Sequence, residues 1–154
     1  AKVFLGIWHV VDRIFSHTKF KALVKNSGQS VCHWSVEIKY GKQIKIGDFT
    51  SIGPDSCLGA KSPITIGNHV RISRGVILET AGLNLTEPPP YKHISKPITI
   101  EDGVWIASNA IVLGGVTIGA NAIIGAGAVV SKDVKSGEII VGQPFRVLDK
   151  FVLR

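Results

Sequence analysis

Five histidines supply the side chain whose ordinary proton affinity suits a base near neutral pH. His9 and His17 lie in the opening segment and His33 follows it; His69 sits beside Val70, and His93 stands just before Ile94-Ser95-Lys96-Pro97. Charge is the second chemical resource. Eighteen Lys and Arg stand against eleven Asp and Glu, a formal net charge of +7 with histidine neutral. That balance suits an anionic partner. The basic residues are dispersed and aromatics make up only 7%, so neither the stacking platform nor the recognition helix of a nucleic-acid module is present. A phosphorylated small molecule fits the charge equally well. Cys32 and Cys57 are too few for a disulfide framework and lack the CxxC spacing of zinc or redox sites, so both are expected to be reduced, buried and structural.

One hundred and fifty-four residues amount to about one domain. With 45% hydrophobic and 19% charged residues the chain is too apolar for disorder. From Val3 to about Lys25 apolar residues recur at helical spacing, which predicts an amphipathic helix within a lead-in spanning 1–43. Asp12, Arg13, Lys19 and Lys21 interrupt it too often for a membrane span. Two settings remain for it, packing against the rest of the chain or a partner subunit, or peripheral membrane contact through residues 3–25. No cleavable secretory signal is visible, so a cytoplasmic location is expected.

The remainder repeats. Ile100, Ile106, Val112, Ile118, Ile124 and Val130 recur every six residues, and Val104, Ala110, Val116, Ala122, Ala128 and Val134 each follow four residues later. An α-helix does not hold a six-residue period in phase, and a half-buried strand alternates with period two over a few residues only. Short parallel strands stacked in register, with the aliphatic residue inward and a small residue at the corner, satisfy the pattern. The period also runs through Ile46, Ile52 and Leu58, and again through Ile66, Ile72 and Leu78, with a two-residue slip at Lys61-Ser62-Pro63. A longer interruption separates Leu78 from Ile98. This loop, 79–97, is expected to protrude and to be stiffened as extended polyproline by Pro88, Pro89 and Pro90.

Hexads such as Ile118-Gly119-Ala120-Asn121-Ala122-Ile123, with Val104-Trp105-Ile106, Gly125-Ala126-Gly127, Ser131-Lys132-Asp133 and Val141-Gly142-Gln143-Pro144, resemble the hexapeptide-repeat acyltransferase superfamily. The likeness is to its sugar O-acetyltransferase branch, which includes the maltose, galactoside and colanic-acid-type enzymes. It implies an all-β fold over residues 44–154, a left-handed parallel β-helix preceded by the N-terminal helix. It also implies a homotrimer that binds acetyl-CoA between subunits, with no metal and no nucleic acid. Residue by residue, Trp105, Ser108 and Ala126 match positions along the pantetheine arm and thioester. Ser131 and Lys132 match positions nearer the phosphates, and Arg146 matches a residue that meets the nucleotide phosphate. A second family arginine falls at Asp149, a departure for which Lys150 is the substitute. The backbone N–H near Ser108 is the oxyanion donor that the resemblance implies.

The loop departs from the family too. Relatives carry a histidine just after the strand to deprotonate the sugar hydroxyl, and this chain has Leu83 or Thr86 there. His93, at the far end of the same loop, is the candidate base, with His69 and His33 behind it. Asp55 falls at an acceptor-pocket position of relatives and is a candidate to bind sugar hydroxyls or orient the imidazole, while Glu79 and Asn84 border the loop as acceptor contacts. The expected activity is acetyl transfer from acetyl-CoA to a sugar hydroxyl in surface-polysaccharide or lipopolysaccharide assembly. An amino-sugar N-acetyltransferase and an inactive trimeric scaffold are the alternatives. A zinc β-helix would need His33, His69 and His93 to converge.

Overall fold

The computed structural model describes residues 2–142 and 146–148, with positions 2–10, 12, 13 and 146–148 as backbone alone. Helix α1 (Lys2–Leu23) leads into a solenoid of three short strands per coil. The first coil is β1 (Val31–Cys32), β2 (Glu37–Lys39) and β3 (Ile44–Ile46), and the second is β4 (Ser51–Ile52), β5 (Cys57–Gly59) and β6 (Ile64–Ile66). The third runs β7 (Arg71–Ile72) and β8 (Ile77–Glu79), departs through β9 (Ala81–Leu83) and β10 (His93–Ser95), and resumes at β11 (Ile98–Ile100). The fourth is β12 (Trp105–Ile106), β13 (Ile111–Leu113) and β14 (Thr117–Ile118). Then come β15 (Ile123–Ile124), β16 (Val129–Val130), β17 (Ile139–Val141) and β18 (Arg146–Leu148).

Apart from β9, β10 and β18, each described strand pairs in parallel with its equivalent one coil away, which builds three stacked sheets. Sheet A contains β1, β4, β7, β12, β15 and β17, closed by antiparallel β18; sheet B contains β2, β5, β8, β13 and β16; sheet C contains β3, β6, β11 and β14. The registers join equivalent hexad positions, as in Ile52↔Ile72, Ile72↔Ile106 and Ile106↔Ile124 along sheet A. All twelve hexad residues from Ile100 to Val134 are buried, as the period predicts. Each coil adds about 4.8 Å of height, so the core is a column of aliphatic rungs.

The N-terminal coils solve the small inward position differently. Where later coils use Ala or Val, the earlier ones use Ser30, Thr50 and Ser56, all buried. Each hydroxyl donates to a carbonyl of the coil above, Ser30 to Gly47 at 2.6 Å, Thr50 to Gly67 at 2.8 Å and Ser56 to Ser73 at 3.1 Å. A buried hydroxyl is tolerated when so paired.

Three expectations change. The stack begins at Val31, thirteen residues before the hexads become legible at Ile44, because Cys32 and Ile38 are six apart but stand two residues out of phase with Ile46, among polar neighbours; His33 therefore belongs to the first coil. Loop 79–97 is a β-hairpin at its base, not extended polyproline throughout. Backbone pairing of Ala81–Leu83 with His93–Ser95 satisfies the polar groups that polyproline would leave to solvent. Cys57 faces outward, half-buried, because its inward neighbour is Leu58. Cys32 is buried, and desolvation pushes its thiol up to about 12.

Candidate active site

The site must be built on the three edges of the prism. Edge AB, where sheet A turns into sheet B, stacks Trp34-Ser35, Pro54-Asp55, Arg74-Gly75, Ser108-Asn109 and Ala126-Gly127. Gly75 donates to the Pro54 carbonyl, Asn109 to Arg74 and Gly127 to Ser108, each at 2.9 Å, which locks the column in register. Asp55 and Asn109 hold φ near +59°, the left-handed turn that Gly75 and Gly127 adopt at the same level of neighbouring coils.

Three of the expected cofactor residues share this edge. Trp105 is 47% exposed on sheet A, and its indole N–H donates to Ser73 Oγ at 3.2 Å, which fixes the ring against the corner. Ser108 is half-buried and Ala126 exposed, one coil apart. Asp55 stands lower on the edge, its carboxylate 3.7 Å from Arg74 Nε and its backbone N–H donating to Ser35 Oγ. The Ser35 hydroxyl also lies 2.8 Å from His33 Nδ1, which accepts the Ser35 N–H at 3.2 Å. A groove of about 630 Å³ opens beside this corner, bounded by Ile14, His17, His33, Ile52 and Pro54. Ser73 and Arg74 escape a reading of motifs, but counting from the inward residue finds them. Arg74 follows Ile72 by two, as Ser108 follows Ile106 and Ala126 follows Ile124.

Edge BC carries the other half. It stacks the slipped corner Lys61-Ser62-Pro63, the hairpin, Gly114-Gly115 and the exposed pair Ser131-Lys132. The hairpin neck is held from both sides. Thr80 Oγ1 donates to the Gly59 carbonyl at 2.7 Å and accepts the Ser62 N–H at 3.0 Å, while Ser62 and Ser95 hydroxyls meet at 2.7 Å. Gly114 lies directly against the neck, where an added Cβ would meet the Thr80 carbonyl oxygen at 2.6 Å and that of Lys96 at 3.0 Å. The two-residue slip thus widens the corner beneath the hairpin and supplies the serine that anchors it.

Within the hairpin, His93 pairs with Leu83 across the ribbon. Residues directly opposite in an antiparallel pair project from the same side, with Cβ atoms about 5 Å apart. His93 is exposed, and its ring has no hydrogen-bond partner among the described residues. Glu79 and Asn84 are occupied locally. Glu79 lies over Gly59 and accepts the Ala81 N–H at 2.9 Å; Asn84 Oδ1 accepts from the Thr86 hydroxyl at 2.7 Å, and its amide donates to Glu87 at 3.1 Å. Lys92 closes the tip on Glu87 at 2.8 Å.

His69 belongs to the third edge, CA, stacked on Phe49 with ring centroids 5.1 Å apart. On that edge Asp102 accepts the Asn68 N–H at 2.7 Å, and this hydrogen bond, followed by the one from the Asn68 amide, holds its carboxyl below the usual range. His33, His69 and His93 therefore stand on three different edges and do not converge on one point. The Arg146 side chain and Lys150 lie outside the described residues.

Within one chain, then, Trp105, Ser108, Ala126 and Asp55 gather on edge AB, and His93 with Ser131 and Lys132 on edge BC. Sheet B separates them, six residues of extended chain or up to about 20 Å.

Residues 97–132 match the bacterial transferase hexapeptide family (six repeats). A Vibrio cholerae hexapeptide-repeat acetyltransferase, solved with acetyl coenzyme A, is 35% identical with a TM-score of 0.79 over 86% of this chain and 74% of that one. The chain belongs to the hexapeptide-repeat acetyltransferase family. A galactoside acetyltransferase solved with coenzyme A is 31% identical at a TM-score of 0.78, covering 87% of this chain and 68% of that one. The 2,3,4,5-tetrahydropyridine-2,6-dicarboxylate N-acetyltransferase of Staphylococcus carnosus is 45% identical over 84 residues, 54% of this chain and 32% of its own. The chain spans less than half the length of the curated relatives it matches.

Proposed function

We propose that this hexapeptide-repeat protein transfers an acetyl group from acetyl-CoA to a sugar hydroxyl, in the assembly of a surface polysaccharide or lipopolysaccharide. The observation that carries the reading is the hairpin, which interrupts an otherwise continuous stack and raises an imidazole opposite Leu83, one of the two positions where the family resemblance expects one. An alcohol is a weak nucleophile at neutral pH and needs a base poised near pH 7. His93 takes the hydroxyl proton as the sugar oxygen attacks the thioester carbonyl. The carbon–sulfur bond then breaks, and the imidazolium returns its proton to the departing thiolate.

The active site forms between copies in a trimer. Edge AB of one chain supplies Trp105, Ser108 and Ala126 along the pantetheine arm, and edge BC of a neighbour supplies His93. Division of the residues between two edges of each chain supports this arrangement, because neither edge alone holds both the arm-binding positions and the base. Lys132, with Arg146 and Lys150 from the tail, offers cations for the donor's phosphates. Asp55 and Arg74, paired on edge AB, face the acceptor. Glu79 and Asn84 act by shaping the hairpin.

The test is thiol release from acetyl-CoA with a panel of free, nucleotide-linked and oligomeric sugars, amino sugars included, against an acceptor-free blank. Acceptor-dependent release by the native chain, reduced about 10²- to 10⁴-fold in His93→Ala with coenzyme A binding retained, is expected. Release only with amine acceptors would replace the hydroxyl by an amino group, and turnover undiminished in His93→Ala would remove the base assignment.

A further inference from the structure

Helix α1 has two apolar sides, and only one of them is buried against the prism; on the other, Ile14 borders the groove beside edge AB. Phe20 and Val24 are buried and cap the end of the core column. Lys19 Nζ donates to the Trp34 carbonyl at 2.6 Å and the Val36 carbonyl at 3.0 Å, and Lys21 Nζ donates to Ser27 Oγ at 3.0 Å and to the Gly28 carbonyl, so the helix is pinned in one rotation. At 100° per residue, Val11, Ile14 and Phe15 fall on the side opposite Phe20 and Val24. They are 53%, 62% and 62% exposed. The sequence continues this stripe in the same register toward the N-terminus with Ile7, Phe4 and Val3.

Charge gathers at the same end. Residues 1–45 contain eight Lys and Arg against two acidic residues, so less than a third of the chain carries +6 of its net +7. Lys25, Lys42 and Lys45 are exposed there, and Lys25 and Lys42 line a shallow groove with Leu23 and Tyr40. No described helix is long and apolar enough to cross a membrane. An unsheathed apolar stripe beside a concentrated positive field is the pairing that an anionic bilayer satisfies, by burial of the stripe and attraction to the headgroups together.

We propose that this end of the prism docks on an anionic lipid bilayer, with the Val11–Ile14–Phe15 side of α1 in the interface and the lysines at headgroup level. The inference does not depend on the catalytic reading, since neither His93 nor the thioester site carries it, although Ile14 also borders the groove beside edge AB.

Flotation of the full chain with vesicles tests it. Vesicles of phosphatidylcholine with added phosphatidylglycerol should carry the protein at low salt and release it at high salt, and pure phosphatidylcholine should carry much less. Ile14→Glu with Phe15→Glu should cut the bound fraction about tenfold or more while leaving the thermal melt and the mass in solution unchanged. Lys25→Gln and Lys42→Gln should each weaken binding about fivefold. Failure to float with the anionic vesicles overturns the proposal, as does undiminished flotation of the double glutamate variant. A fall in the solution mass of that variant would assign the stripe to a contact between copies and likewise overturn it.

Discussion

At the residue scale the chain keeps an imidazole while giving up the position at which the family carries one. The resemblance expects histidine at Leu83 or Thr86, and the hairpin register sets His93 opposite Leu83 on the same side of the ribbon. The two positions are therefore exchangeable in a way that neighbours along one strand are not. Returning the imidazole across the ribbon, as Leu83→His in the His93→Ala background, should raise acceptor-dependent thiol release about tenfold or more above His93→Ala alone. Thr86→His, at the tip, should raise it little. A double variant no more active than His93→Ala would mean that His93 works from a geometry the ribbon does not share. The inward residues were legible one by one in the sequence, because a six-residue period leaves no freedom about which side chain is buried. His93 was legible as a candidate, but its partnership with Leu83 was not, since hairpin register depends on where the turn closes. Ser73, which holds the Trp105 indole, was hidden for another reason: it touches the tryptophan only because coils stack, thirty-two residues apart in sequence.

At the scale of elements the hairpin is an insertion that the neighbouring coils are shaped to receive. The slip at Lys61-Ser62-Pro63 reads in the sequence as a fault in the period, and its purpose appears only when Ser62 meets Ser95 and Thr80. Gly114 is the complementary device on the coil above, because any side chain there enters the space of the Thr80 and Lys96 carbonyls. Backbone atoms at both ends of the neck cannot move aside as a flexible side chain would. Gly114→Ala should therefore tilt the hairpin, lowering kcat and speeding amide exchange across Ala81–Leu83 and His93–Ser95, with KM for acetyl-CoA nearly unchanged. Ser62→Ala should act in the same direction but more weakly, by the net worth of one hydrogen bond, about 0.5–1.5 kcal/mol. If Gly114→Ala left hairpin exchange unaltered, the neck would not be what positions His93. The first coil and hairpin were least legible for a common cause. Cys32 and Ile38 stand two residues out of phase with the series that starts at Ile46, and three-residue strands paired by backbone alone leave little side-chain pattern to read.

At the scale of the whole molecule, the division of candidate residues between edges AB and BC is the fact that most constrains function. A monomer presents an indole platform on one edge and a base on another, with a sheet between them. Symmetry closes the gap only if edge AB of one copy meets edge BC of the next, and a threefold arrangement does so three times with one kind of contact. Complementation follows from this geometry. Ala126→Trp fills the arm-binding edge but leaves the hairpin intact, whereas His93→Ala removes the base but leaves edge AB intact; each variant alone should show little turnover. Chains unfolded together in equal amounts and refolded should assemble at random. A site is whole only when the first variant donates the hairpin and the second donates edge AB. The mixed population should then regain about a quarter of native turnover. Mixing without subunit exchange should regain nothing, and a refolded mixture that stays inactive would require both halves of the site to come from a single chain.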